Sequence, residues 1–431
     1  MTISSLINEC VVFIGAGQAA IQAADTLRTE GFEGRIVIIG DEACLPYQRP
    51  QLSKDLLKQE DVTVLPLRAQ SFFTENDIEL RRGRRVVSVD STTRTVSLDD
   101  GQKVDYTQLV FATGSRPRQL SIPGSHSDRV REVHTVDQAL RLRADMKPGS
   151  EVVIVGGGFI GLEVAAQASS IGANVTLLPG KRDLMSRSIS PAMSKWFESL
   201  HAATGTKVRC GETAKAFHEA DPLAIPGQVV VESDTGAKYA ADIIVVGIGS
   251  TPNDELARDA GLAVDNGIAV NSYLQASLPN MWSIGDCASF PSSNNQEQVR
   301  LESVQNATDQ GRLAARNILS FLNGQALSEY QEVPWFWSNQ ATARLQIAGL
   351  RQSDDTTCVT LGDPATGKFS ILCFNANGHL SAVESINSPG IHMAARKVLS
   401  CSEPLTVEEA QAPDFCLKAA SKKLNQLITA A

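Results

Sequence analysis

A strand, a glycine-rich turn and a helix recur as one unit at two places in this chain, and a repeated unit of that kind leaves few folds open. The first copy runs from the apolar stretch Cys10–Ile14 through Gly15-Ala16-Gly17-Gln18-Ala19-Ala20 into a helical segment ending near Glu30, then a second apolar stretch at 35–39. The second runs from 152–155 through Gly156-Gly157-Gly158-Phe159-Ile160-Gly161 into a helix ending near Ser170, then Asn174–Leu178. In such a unit the first glycine makes the tight turn and the second lets a pyrophosphate approach the backbone. The third position, glycine or alanine, keeps helix and strand close. Phosphates then sit at the helix N-terminus, where unpaired N–H groups and the helix dipole favour negative charge. One copy is weak testimony; two copies in the same strand, turn and helix context predict two dinucleotide-binding domains.

Such a domain uses a carboxylate at the end of its second strand to bind ribose hydroxyls. Asp41 stands there in the first unit, after Ile38-Ile39-Gly40. The second unit has Pro179 instead, followed by Gly180, Lys181 and Arg182. A proline neither binds a ribose diol nor repels a 2′-phosphate, while Lys181 and Arg182 carry charge that could pair with one.

With 431 residues the chain is too long for one core. Its formal net charge of −9 argues against a nucleic-acid surface and against attachment to anionic lipid. The first 24 residues carry no Lys or Arg, and no apolar run reaches the roughly 20 residues that span a bilayer. Eight scattered cysteines without a C-x-x-C predict reduced, mostly buried thiols in a cytoplasmic protein. The six histidines add no metal-binding pattern.

Beyond residue 205 the chain reads as short strands and turns at 229–232, 243–247, 267–270 and 282–284, and 317–325 reads as a helix ending in a loop. The stretches 369–374 and 379–385 alternate as paired strands, with helical segments after them. The expected fold class is α/β, with two Rossmann-like domains and a C-terminal α+β domain. The expected boundaries are 1–115 with 248–325 for the first domain, 116–247 for the second and 326–431 for the third.

Further motifs stand in order along the chain: Arg49-Pro50-Gln51-Leu52-Ser53-Lys54, Ala112-Thr113-Gly114, the second glycine turn with Glu163, Ile284-Gly285-Asp286, Glu302-Ser303-Val304-Gln305-Asn306-Ala307 and Pro334-Trp335-Phe336-Trp337-Ser338. With them the sequence resembles the two-dinucleotide-binding flavoproteins over nearly its whole length. Within these it is similar to FAD-dependent ferredoxin reductases of bacterial oxygenase and cytochrome P450 systems, the putidaredoxin reductase type. The resemblance implies an FAD domain built from two separated segments, an inserted NAD(P) domain and a C-terminal domain covering the flavin. It implies FAD contacts at Ala19, Asp41, Lys54, Val86, Asp286 and Val304, with Asp286 on the ribitol chain, and places His134 where some relatives have a flavin-contacting Arg. Around these, Gly15, Gly17, Ala20, Arg49, Ala112, Thr113, Gly114, Gly285 and Ser303 are expected on the FAD. Gly156, Gly158, Ile160, Gly161, Lys181, Arg182 and Gly249 are expected on the nicotinamide cofactor.

The resemblance also pairs Lys54 with Glu163 beside the reactive flavin edge, a pairing that keeps both groups ionised because each charge compensates the other. It sets Trp335 and Trp337 near the flavin and Arg312 near the ferredoxin site; Arg344 and Lys422-Lys423 are weaker docking candidates. A helix beginning near Ser303 would aim its positive end at negative charge developing on the flavin. Disulfide reductases of this superfamily keep a closely spaced cysteine pair by the flavin. Here the first segment, 1–115, holds only Cys10 and Cys44, far apart in sequence, so electrons must leave directly from the flavin.

The implied activity is hydride uptake from NADH, with NADPH as a second donor, followed by single-electron delivery to a [2Fe–2S] ferredoxin. That ferredoxin would serve a Rieske oxygenase or a P450, and the reductase is expected as a monomer or weak homodimer. Three alternatives stay open: a rubredoxin reductase, an NADH oxidase, and a flavoprotein that senses NAD(P)H and acts by protein association.

Overall fold

In the computed structural model, residues 6–58, 62–219, 228–292 and 297–430 are described, and they divide into two compact units, each drawn from three stretches of chain. The first unit takes the chain up to Gln48, Val64–Arg116 and Ser250–Glu332; the second takes Arg49–Thr63, Pro117–Gly249 and the chain from Val333 onward.

The first unit is built on a five-stranded parallel sheet in the order Met281–Ser283, Gln108–Phe111, Cys10–Ile14, Arg35–Gly40, Ile78–Arg82. Its central strands are continuous apolar runs because both faces are covered. Val11, Phe13, Ile36 and Ile38 point into a core shared with the helices Gln18–Thr29 and Val304–Leu322. Val12, Ile14, Val37 and Ile39 face a second core closed by the antiparallel strands Val86–Asp90, Thr95–Leu98 and Lys103–Asp105. Those two helices cross closely at Gly311, where a Cβ would stand 2.6 Å from the Ala19 carbonyl oxygen. The stretch 317–325 is the last turns of that longer second helix and the loop after it.

The second unit repeats the parallel arrangement in the order Lys207–Val208, Asn174–Leu178, Glu151–Val155, Ile243–Val246, Val130–Arg131. The second fingerprint helix, Phe159–Ser170, starts directly after its glycine turn. The same unit contains a five-stranded antiparallel sheet, ordered Trp335–Gln340, Ala343–Gly349, Leu380–Ile386, Lys368–Phe374, Thr357–Asp363. One face of that sheet is closed by Pro389–Leu399 and the segments after it, through Leu372, Phe374, Val383, Ala395 and Leu417.

The cysteines depart from expectation. Cys287 and Cys373 are buried, Cys10, Cys210 and Cys401 partly so, and Cys44, Cys358 and Cys416 are exposed. Cys358 lies on the outer strand of the antiparallel sheet. Among the described residues, no helix is long and apolar enough to cross a membrane, and no cluster of His, Cys, Asp and Glu could hold a metal ion.

Candidate functional site

In the first unit the glycine turn is shaped by what it must avoid. Gly15 has φ +108°, and a Cβ there would lie 2.1 Å from the Ala112 carbonyl oxygen. Gly17 is the N-cap of the helix Gln18–Thr29, and no side chain among the described residues caps that first turn. Its leading N–H groups are therefore left for an anion. Gly285 has φ +76°, a Cβ there would stand 3.1 Å from the Ala19 Cβ, and its N–H donates to Gln310 Oε1 at 2.8 Å. Asp286 follows on a short turn, Gly285–Cys287, with its carboxylate 3.5 Å from Ser115 Oγ and its carbonyl accepting from Arg300.

Thr113 and Asn253 exchange bonds, Thr113 Oγ1 donating to the Asn253 carbonyl and Asn253 Nδ2 to that of Thr113, with Gly114 at φ +66° beside them. Asp41 closes the second strand and pairs with Arg85 at 3.1 Å. Both side chains are exposed, so solvent screens the pair and a ribose hydroxyl could replace Arg85. Val86 is buried at the start of its strand. The helix Val304–Leu322 is capped by Ser303, whose Oγ accepts from the Asn306 N–H at 3.1 Å. A flavin dinucleotide fits this donor set: an open helix start, a Cβ-free cradle and strand-end carboxylates.

The second unit repeats the cradle. Gly156 has φ +115° and approaches the Gly247 carbonyl, while a Cβ on Gly161 would stand 2.4 Å from the Gly156 carbonyl oxygen. Gly158 is again an N-cap without a side-chain cap, and Ile160 of the first turn is exposed. Pro179 is buried against Gly157, where a Cβ would lie 2.6 Å from the proline's own. The proline ring thus fills the strand-end position. Lys181 and Arg182 are exposed beyond it, and Gly249 has φ +108° with open space around it.

Lys54 and Glu163 meet. Lys54 Nζ lies 2.8 Å from Glu163 Oε2, with side chains 13% and 2% exposed. The carboxylate is then saturated: Ser53 Oγ donates to Oε2 at 2.5 Å, Ser338 Oγ to Oε1 at 2.6 Å and the Asn339 N–H to Oε1 at 3.3 Å. A buried charge so compensated persists where an isolated one would not. The Arg49 guanidinium donates to the His134 carbonyl at 2.6 Å, bringing two more of the expected cofactor residues together.

Along Trp335–Gln340 the rings part by strand alternation. Phe336 meets Phe159 edge to face at 4.8 Å, while Trp335 and Trp337 stand 5.6 Å apart. Trp335 is further engaged, with the Arg396 guanidinium 4.7 Å over its ring and His392 at 5.4 Å. Burial, with Arg396 and Arg344 nearby, pushes the His392 imidazole down to about 4, so it is neutral at neutral pH. Arg344 is exposed in the second unit; Arg312 of the first is half exposed and paired with Asp309 at 3.0 Å.

Sequence reasoning missed Ser53 as a ligand of Glu163 and did not read Ser338 as a functional residue, although both stand in quoted motifs. It also missed Arg396, for which the only signal was a basic last turn on the helix Pro389–Leu399.

Residues 9–311 match the pyridine nucleotide-disulphide oxidoreductase family and residues 335–421 the reductase C-terminal domain. The rhodocoxin reductase of Rhodococcus erythropolis is 43% identical over 95% of this chain and 94% of its own. A solved ferredoxin reductase for the CYP199A2 system of Rhodopseudomonas palustris superposes with a TM-score of 0.89 at 39% identity, covering 96% of this chain and 100% of the other. The covalent putidaredoxin reductase–putidaredoxin complex gives 0.88 at 33%, over 96% and 99%. The glycine cradles, the Lys54–Glu163 pair and these matches together show that the chain belongs to the pyridine nucleotide-disulphide oxidoreductase family, in its branch of ferredoxin reductases with a reductase C-terminal domain.

Proposed function

We propose that the chain is an FAD-dependent ferredoxin–NAD(P)+ reductase whose acceptor is a [2Fe–2S] ferredoxin feeding an oxygenase or cytochrome P450. Residues 1–115 and 248–325 form the FAD domain of this reading, 116–247 the NAD(P) domain and 326–431 the C-terminal domain. The observation that carries it is the buried Lys54–Glu163 pair, fixed by Ser53 and Ser338, in a chain with two open glycine cradles. FAD, when bound, supplies the change from two-electron hydride chemistry to single-electron release.

The protein's share is binding and electrostatics. Gly15 and Gly17 admit the flavin pyrophosphate, Asp41 takes its ribose, and Asp286 its ribitol hydroxyls. The helix after Ser303 directs its positive end at negative charge. Lys54 offers a fixed cation with protons to share, and Glu163 holds it in place. Gly156 and Gly158 receive the nicotinamide cofactor's phosphates. Trp335 and Trp337 are the indoles this reading sets near the flavin. NADH is the working donor, with weak discrimination against NADPH because Pro179 replaces the ribose acid. The similarity to the solved ferredoxin reductase for the CYP199A2 system supports a ferredoxin here.

Flavin identity and turnover test the reading. The purified protein should release FAD on denaturation and reduce a [2Fe–2S] ferredoxin with NADH over many turnovers. Bound FMN, or a long-lived complex with NADH that reduces neither ferredoxin nor dye, would instead indicate a different cofactor or a sensor.

A further inference from the structure

Two thiols fifteen residues apart are brought side by side by strand register. The strands Thr357–Asp363 and Lys368–Phe374 are antiparallel neighbours, and Cys358 stands directly opposite Cys373. Residues so opposed share a face and have Cα atoms about 4.5–5.5 Å apart, inside the roughly 4.4–6.8 Å that a disulfide spans. The two Sγ atoms are 3.7 Å apart, so side-chain rotation is enough to bring them to bonding distance.

The pair is asymmetric in a useful way. Thr357–Asp363 is the outer strand of its sheet, which leaves Cys358 exposed to a solvent oxidant, whereas Cys373 is fully buried. Contact with the Cys373 thiol holds Cys358 below the usual thiol range, and the same contact together with burial pushes Cys373 up. The thiolate, the reactive form, therefore gathers on the accessible sulfur. Cys373 Sγ also lies 3.7 Å from Glu384 Oε1, and Glu384 accepts from both the N–H and the hydroxyl of Ser190, at 2.5 and 2.7 Å.

We propose that Cys358 and Cys373 form a reversible oxidation site that takes a peroxide as oxidant. The Cys358 thiolate attacks one peroxide oxygen; the O–O bond breaks, leaving a sulfenic acid on Cys358 and releasing hydroxide, which takes up a proton as water. The Cys373 sulfur then attacks the Cys358 sulfur. The S–O bond breaks, the S–S bond forms, and the hydroxyl leaves as a second water with the proton of Cys373. In sum two thiols and one hydrogen peroxide give one disulfide and two waters, the sulfurs losing the two electrons that the peroxide gains. A dithiol reverses the change by exchange. Disulfides in reducing compartments are usually transient and redox-sensing, which suits a pair with one exposed member. Closing the bond also removes the S–H that faces Glu384, altering the network that ties this sheet to Ser190, the cap of the helix Pro191–Ala203.

The test uses the flavin-loaded chain treated with a stoichiometric amount of hydrogen peroxide, alkylated and digested without reductant. The expected result is a cross-linked peptide joining Cys358 to Cys373, two hydrogens lighter than the separate thiols and lost on dithiothreitol treatment. Cys373→Ser should leave a sulfenic acid on Cys358 that dimedone traps. Cys358→Ser, at an exposed position, should leave Cys373 unoxidised. The proposal is overturned if Cys358 in the wild type proceeds to sulfinic acid with Cys373 still alkylatable, or if Cys44 or Cys416 is consumed while the pair stays reduced. The wild-type map decides the matter even if Cys373→Ser does not fold.

Discussion

At Glu163 a buried carboxylate with four donors makes the consequence of a single-atom change calculable. Its oxygens accept from Lys54, Ser53, Ser338 and the Asn339 N–H. A glutamine there must turn an N–H toward one of these donors and leaves Lys54 uncompensated. Removing one partner of a buried pair costs about 3 kcal/mol or more. Glu163→Gln should lower stability toward urea by that order, and should slow flavin reduction by NADH in stopped flow more than it weakens NADH binding. Equal binding and an unchanged reduction rate would mean that Lys54 does not depend on this partner. Glu384 is a second buried carboxylate. Burial pushes Glu384 up to about 7 from an ordinary 4.5. Between those values the unfolded chain gives up its proton and the folded chain keeps it, so stability falls as pH rises through the window, in total by on the order of 3 kcal/mol. Glutamine imitates the protonated form, accepting from the Ser190 N–H and donating to its hydroxyl. Glu384→Gln should therefore flatten the fall in melting temperature between pH 5 and pH 8. A profile as steep as the wild type's would assign the slope to another group.

Elements differed in how plainly they could be read. The stretches 10–14 and 152–155 are buried on both faces in parallel sheets, so each is an uninterrupted apolar run that stands out from its surroundings. The strand Thr357–Asp363 is half solvated and carries Gly362 and Asp363, and its pattern does not rise above a loop's. Glycine turns were legible because their chemistry is local. The Ser53 and Ser338 contacts to Glu163 were not, since nothing in spacing shows which hydroxyl reaches across more than a hundred residues. The strand end at Pro179 is a local departure with a measurable effect. A charge-assisted hydrogen bond contributes about 1.5–3 kcal/mol, so the missing acid should remove roughly a ten- to hundredfold preference for NADH. Steady-state kcat/KM for both donors should differ by less than about a thousandfold, and Pro179→Glu should widen the ratio chiefly by worsening NADPH. An unmoved ratio would show that this strand end does not read the ribose. On the helix Val304–Leu322, Arg312→Glu should slow ferredoxin reduction at low salt and leave reduction of a small neutral dye intact. Loss of both would point to a folding or flavin defect.

Across the whole molecule, the two units are each assembled from three separated stretches of the same chain. The first unit's sheet is completed by Met281–Ser283 beside Gln108–Phe111, and its helix Gln18–Thr29 is covered only when Val304–Leu322 arrives to cross it at Gly311. During synthesis at about 5–20 residues per second, the stretch ending at Arg116 waits roughly ten to forty seconds for its last third. Throughout that interval the side of the helix by Ala19 and Ala23, which Gly311 approaches in the finished unit, lacks that cover. A chain stopped after Gly249 keeps that face bare permanently. It should be recovered as aggregate, without flavin, whereas the full chain stays in the supernatant; a soluble, yellow truncate would show that the early segments close on their own. The interleaving thus predicts that the nascent chain needs shielding by the cell's holding chaperones until the ribosome delivers residue 322.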